Sequence, residues 1–163
     1  SVRQKGTMFT KDWKDTFGEC TDEQISEIYE KIKLPARATS GSAGYDFYSP
    51  CSFVLKPGET IKIPTGIRSK IDDGWVLSCY PRSGLGFKYR LQLNNTVGII
   101  DSDYYYSDNQ GHIMAKLTND SNTDMTLELS AGSAFMQGIF TEYGITVDDN
   151  VTSVRNGGFG STD

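Results

Sequence analysis

From Ala43 onward, apolar residues recur at every second position. Ile61, Ile63, Ile67 and Ile71 follow that spacing through residues 60–71, the Asp72-Asp73-Gly74 turn follows, and residues 75–80 read as the next strand. Leu91 and Leu93 alternate, as do Ile113, Ala115 and Leu117, and then Met125, Leu127 and Leu129. Pro57-Gly58, residues 119–122 and Ala131-Gly132 punctuate these runs. Short strands broken by turns every 8–12 residues or so predict an all-β fold, a sandwich or barrel of antiparallel strands. No long helical pattern alternates with the strands, and G-x-x-x-x-G-K-[ST] is absent, which excludes Rossmann and P-loop architectures.

The pattern ahead of the strands is different. Thr21-Asp22-Glu23-Gln24 has the form of a capping box. Ile25, Ile28, Tyr29 and Ile32 then lie at i, i+3, i+4 and i+7, a single apolar stripe. These features predict a helix over about 22–33, stopped before Pro35. Residues 1–20 read as irregular and polar, with scattered Phe9, Trp13 and Phe17. The chain thus divides into an N-terminal extension (1–33), a β domain (34–150) and a Gly-rich tail (151–163).

Composition narrows the function. The 163 residues suffice for one domain with a real core. A net charge of −5 argues against a general nucleic-acid or membrane-surface binder, so an anionic ligand must be held by local donors. No apolar run approaches the ~18 residues of a membrane helix, and no secretory signal pattern is visible. Cys20, Cys51 and Cys79, without a C-x-x-C, suit reduced thiols, so the expectation is a cytoplasmic (or nuclear), unsecreted protein. His112, the single histidine, rules out His-rich metal sites and reads as a packing residue.

Five stretches carry more chemistry than turns need. In Arg155-Asn156-Gly157-Gly158-Phe159-Gly160-Ser161-Thr162, the glycines free the backbone to form an anion nest, and the neighbours add a cation, a ring face and two hydroxyls. A polyphosphate joined to a flat base suits that set, although a plain Gly/Ser tail has the same composition. Pro81-Arg82-Ser83-Gly84-Leu85-Gly86 offers a second cradle of forked cation, hydroxyl and open backbone. Ala43-Gly44-Tyr45-Asp46 brings a carboxylate to the start of a strand. Residues 95–104 read as a hairpin or bulged loop, in which Gly98 suggests close approach of another group. Asp101 and Asp103 share a face there if the segment is extended. In residues 132–138, Gln137 is a polar side chain inside an apolar run and needs partners in the core or in a ligand.

In this order, Ala-Gly-Tyr-Asp, Pro-Arg-Ser-Gly-Leu, Gly-Ile-Ile-Asp-Ser-Asp-Tyr, Gly-x-x-x-x-Gln and Gly-Gly-Phe-Gly-Ser-Thr resemble the five motifs of the trimeric dUTPase family. The likeness covers about residues 34–163 and includes the leader Leu34-Pro35-Ala36-Arg37-Ala38-Thr39. It implies a jelly-roll-like β-barrel in a homotrimer, cleaving dUTP to dUMP and pyrophosphate with Mg²⁺. The tail of one chain would close over a site built by the others. By position, Asp101 resembles the carboxylate that deprotonates the attacking water, and Tyr104 the ring that stacks on the sugar. Asn95, Val97, Gly98 and Ile99 would read the uracil edge. Arg82, Ser83 and Gly84 resemble the phosphate cradle, with Gln137 a further phosphate contact and Asp46 the acid tied to Mg²⁺ through water. In the tail, Phe159 would cover the base, with Gly160 in the same nest, while Arg155, Ser161 and Thr162 meet the phosphates.

The sequence departs from that pattern in places. Ser133-Ala134 stand where the family usually has Asp-Arg, residues 105–110 lengthen the connection after Tyr104, and Arg155 sits one residue closer to the glycines than usual. Two other functions fit parts of the chain. One is dCTP deamination on the same fold, against which the 101–104 spacing and the tail both argue. The other is a dUTP-sensing role, with a protein partner recruited through the N-terminal helix or the Tyr-rich insertion.

Overall fold

The computed structural model describes residues 1–157. In chain order the elements are β1 (Val2–Arg3), α1 (Gly6–Phe17), α2 (Asp22–Glu30), β2 (Ala36–Arg37), β3 (Tyr45–Tyr48) and β4 (Phe53–Leu55). Next come β5 (Thr60–Pro64), β6 (Ile67–Arg68), β7 (Trp75–Pro81), α3 (Ser83–Tyr89), β8 (Leu91–Leu93) and β9 (Gly98–Ile100). A 3₁₀ helix (Ser102–Tyr106), β10 (Met114–Asn119), β11 (Leu127–Leu129) and β12 (Ala134–Glu142) complete the set.

The main sheet has five strands in the order β2-β3-β12-β7-β9, and a second has three, β5-β10-β8. Strands β11 and β4 form a pair, as do β1 and β6. Every pairing is antiparallel. The fold is thus mostly β, but among the described residues the strands remain four sheets and no hydrogen-bonded ring closes into a barrel. Consecutive strands part company where the chain turns: β8 pairs with β10, whereas β9 pairs with β7. The expected hairpin at 95–104 is therefore a crossing from one sheet to the other.

Alternation along the strands places the core. Ile63, Leu77, Leu117, Phe47 and Phe135 are all but inaccessible, and one apolar cluster draws on both larger sheets. Gly138 in β12 has a packing reason. A Cβ there would sit 2.9 Å from Leu77 Cδ1 and 3.1 Å from Phe47, closer than a packed core allows.

The N-terminal segment departs most from expectation. Residues 6–17 are helical rather than irregular, because Phe9, Trp13 and Phe17 at i, i+4 and i+8 make one aromatic face. Phe9 is fully buried, with its ring 5.5 Å from both Trp13 and Tyr29. In α2, Thr21 and Gln24 form the capping box, and the helix ends at Glu30 with Lys31 as its C-cap. The extension is sewn into the β domain. Strand β1 pairs with β6, and the Gln4 amide donates to the Gly66 carbonyl at 2.7 Å.

Candidate active site

The predicted residues gather into two groups on the main sheet. In the first, β12 runs between β3 and β7, with Gln137 opposite Asp46 on one side and Tyr80 on the other. The next turn after β7 brings Arg82 back over β3, where its Nη1 donates to Asp46 Oδ2 at 2.9 Å. The Asp46 side chain is 12% exposed and that of Arg82 39%, so the pair is half-desolvated and fixed. Gln137 Nε2 donates to the Pro81 carbonyl at 3.3 Å. Gly44 lies against the same amide, and a Cβ there would collide with Gln137 Oε1 and come 3.2 Å from Gln137 Cβ. A larger residue at position 44 would therefore displace the Gln137 amide from its present place. Ser83 and Gly84 do not form the open loop expected of them. They are exposed residues in the first turn of α3, and Arg82 is its N-cap.

The second group follows β9. Gly98 packs on Cys79 of β7, where a Cβ would approach the Cys79 Cβ to 3.3 Å. The turn before it is tight. Thr96 adopts φ +68°, its amide donates to the Leu93 carbonyl at 2.8 Å, and the Val97 amide to the Asn95 carbonyl at 2.7 Å. Beside the turn opens a cleft of about 460 Å³, lined by Cys79, Leu93, Asn95, Gly98, Met114 and Met136 among others. It has the size and largely apolar lining of a small-ligand site. Burial pushes the Cys79 thiol up to about 12, so it is an apolar floor and no nucleophile. Ile99, predicted as a contact, is 49% exposed, whereas its two neighbours Gly98 and Ile100 are buried.

Asp101 follows β9 and stands at the N-cap position of the 3₁₀ helix, its side chain making no capping bond. Its carboxylate is 52% exposed and accepts a bond from Arg155 Nη2 at 2.7 Å, while Arg155 Nε donates to Asp103 Oδ1 at 2.7 Å. The tail is further tied where the Asp108 amide donates to the Asn156 carbonyl at 2.8 Å. Sequence reasoning left Asp103 out of the site set, although its two-residue spacing from Asp101 was the available signal. Tyr104 is 3% exposed. Its hydroxyl donates to the His112 carbonyl and accepts from Asn109 Nδ2 at 2.9 Å, and burial is the main cause holding the phenol above its ordinary range. Its ring lies among the buried core residues, so this chain by itself leaves little of it open to a ligand. Phe159, Gly160, Ser161 and Thr162 lie outside the described residues. Among the described residues, no hydrogen bond or ion pair joins the Asp46–Arg82–Gln137 group to Asp101.

No described helix is long and apolar enough to cross a membrane. Among the described residues, no three His, Cys, Asp or Glu side chains gather as a metal cage.

Comparison with known proteins gives a consistent result. The dUTPase family profile matches residues 30–163. A deoxyuridine 5'-triphosphate nucleotidohydrolase of Tolumonas auensis is 43% identical over 144 residues, covering 84% of this chain and 91% of the relative. The Lactococcus lactis protein of the same name is 38% identical over 134 residues, covering 80% and 88%. The crystal structure of dUTPase from Streptococcus mutans superposes with a TM-score of 0.61 at 38% identity, over 69% of this chain and 88% of that one. A dUTPase from phage phi11 of S. aureus, described with a structural Mg(II) ion, shares the fold at 22% identity and a TM-score of 0.61, over 76% and 92%.

Proposed function

The chain belongs to the dUTPase family of nucleotide diphosphatases, and from that premise we propose that it hydrolyses dUTP to dUMP and pyrophosphate through an Asp101-activated water. The observation that carries this reading is the Asp101 carboxylate, solvent-accessible at the end of the strand that also floors the cleft. Uracil enters that cleft, where Asn95 and the backbone from Val97 to Ile99 supply a fixed donor and acceptor set. A tight floor excludes a methyl-bearing base sterically, by ~1–3 kcal/mol, and mispaired polar groups exclude cytosine more strongly. Tyr104 meets the sugar.

Asp101 takes a proton from water as the water oxygen bonds to the α-phosphorus. The bond from that phosphorus to the bridging oxygen breaks, and pyrophosphate leaves with the electron pair. Arg155 has two acidic partners before substrate arrives. When a triphosphate enters, the guanidinium moves to the phosphates, which frees Asp101 to act as base and places positive charge where negative charge builds. Arg82, Ser83 and Gln137 hold the phosphate chain in line. Ser161, Thr162 and Gly160 of the tail join them, and Phe159 covers the base.

The residues suit Mg²⁺ of a particular kind. With no three-acid cage among the described residues, a hard divalent ion would find most of its oxygens on the triphosphate and water, and Asp46 would reach it through a water. When bound, it neutralises phosphate charge.

The apolar surface left uncovered on residues 143–154, where Ile145, Val147, Val151 and Val154 are 72–107% exposed, supports a site completed by neighbouring copies, in a homotrimer. The test is a panel of dUTP, UTP, dCTP and dTTP, assayed for pyrophosphate and ammonia, with light scattering for the assembly. Pyrophosphate from dUTP alone supports the reading. Ammonia from dCTP would replace it with the deaminase, and no turnover of any nucleotide would end it.

A further inference from the structure

We infer that Asp12 of α1 is a positioning residue for the segment that follows Asp101, so that the N-terminal extension is a working part of the site. The extension up to residue 29 lies outside the match to the family profile, and the structure connects it to the site through a chain of buried polar contacts. His112 is fully buried, and its Nε2 accepts the Gly66 amide proton at 3.0 Å. That fixes the tautomer: Nδ1 carries the hydrogen and donates to Asp12 Oδ2 at 2.5 Å. Asp12 comes from α1, 100 residues away in sequence, and is itself buried. The carbonyl of the same His112 accepts the Tyr104 hydroxyl, and Asn109 Nδ2 closes the group onto that hydroxyl.

A second strut runs in parallel. Gln4, fully buried, donates from Nε2 to the carbonyls of Asn109 at 3.3 Å and Gln110 at 3.2 Å. Its own carbonyl is held by the Tyr29 hydroxyl at 2.7 Å. A third contact stiffens the far side, where Arg68 lies 3.7 Å over the Tyr105 ring and donates to the Tyr105 carbonyl at 2.9 Å. Residues 104–112 are therefore clamped between the two N-terminal helices and the sheet. Tyr104 lies three residues beyond Asp101, so the clamp sets where the Tyr104 ring stands relative to the Asp101 carboxylate. A misplacement of about 1 Å at such a distance from the chemistry can cost about 100-fold in rate.

The kinetic part of this inference rests on the dUTP-hydrolysing reading; the structural part does not. The experiment compares Asp12→Ala, Asp12→Asn and a control, Leu127→Ala, which opens the core under β11, a strand that pairs with β4 and carries none of the residues of these struts. Two quantities are read well below each variant's melting temperature: amide hydrogen exchange across residues 102–112, and the ratio of kcat/KM for dUTP over UTP. Asp12→Ala should speed exchange in 102–112 and lower the dUTP/UTP ratio at least about 10-fold, within the span that positioning supplies. Asp12→Asn keeps an acceptor for Nδ1–H and should restore part of both. Leu127→Ala should lower the melting temperature and leave both quantities as they were. If Asp12→Ala merely melts earlier, with exchange and ratio matching the control, the inference is overturned. If the unmodified protein fails to turn over dUTP, the proposed function falls, and the exchange comparison alone still decides the role of Asp12.

Discussion

Gly111→Ala should destabilise this protein far more than Gly132→Ala, although both glycines adopt positive φ. Gly111 has φ +73° and Gly132 φ +86°. An L-residue in the left-handed region costs about 1–2 kcal/mol, and both variants bear that cost. The surroundings then separate them. A Cβ at Gly132 meets nothing nearer than Lys33 Nζ at 3.8 Å. At Gly111 it falls 2.7 Å from Tyr105 Cα and 3.3 Å from the Tyr104 carbonyl oxygen and the Tyr105 amide nitrogen. These are backbone atoms and cannot swing aside as a side-chain tip would. Overpacking of this kind adds about 1–3 kcal/mol, so Gly111→Ala totals about 2–5 kcal/mol. At about 2–4 °C per kcal/mol for a chain of this size, that is a fall of about 4–20 °C, against about 2–8 °C for Gly132→Ala. Thermal melts followed by far-ultraviolet circular dichroism, with both variants at one protomer concentration, measure the difference. If the two variants agree within about 0.5 kcal/mol, the ordinary scatter of additivity, then residues 104–105 do not press on Gly111 and the clamp described above is misdrawn.

Arg155→Ala should leave the stability read from thermal melts within about 1 kcal/mol of the parent, because Asp101 and Asp103 are more than half exposed and water screens such pairs. The same variant should lose about 10- to 100-fold in kcat/KM for dUTP, since a guanidinium on the phosphates acts in a shielded site; a stability loss without a kinetic one would reverse that assignment. Cys79 should resist maleimide at pH 8 in the folded protein. With its thiol pushed up to about 12 by burial, only about one molecule in 10⁴ is thiolate at that pH, and the fraction rises only as pH climbs toward that value. Half-exposed Cys20 should label first, and mass spectrometry of the labelled peptides decides the order.

Much of the β domain was legible because burial on one face imposes a period of two. Ile63, Leu91, Leu93, Ile113, Ala115, Leu117 and Leu127, picked out by alternation, are all buried. The α2 cap was legible too, because a capping box is a local pattern in four residues. The helix α1 was not, since its polar composition masks a stripe of only three aromatics, and their spacing of four was the signal to follow. The short α3 contradicts the propensity of Gly84 and Gly86, and tertiary context overrides it. The motif residues were legible but not the strand order β2-β3-β12-β7-β9 that arranges them, because antiparallel order depends on pairings between distant strands. The Asp12–His112 contact spans 100 residues and left no local trace, so the lone histidine read as mere packing.

The most direct test of the central claim is one turnover of dUTP in ¹⁸O-labelled water, run with the parent protein and with Asp101→Asn. If Asp101 primes a water for attack at the α-phosphorus, the label appears in dUMP and not in pyrophosphate, and the variant slows about 10²- to 10⁴-fold, the span of a lost general base. Label in the pyrophosphate, or an Asp101→Asn protein turning over at the parental rate, would contradict it.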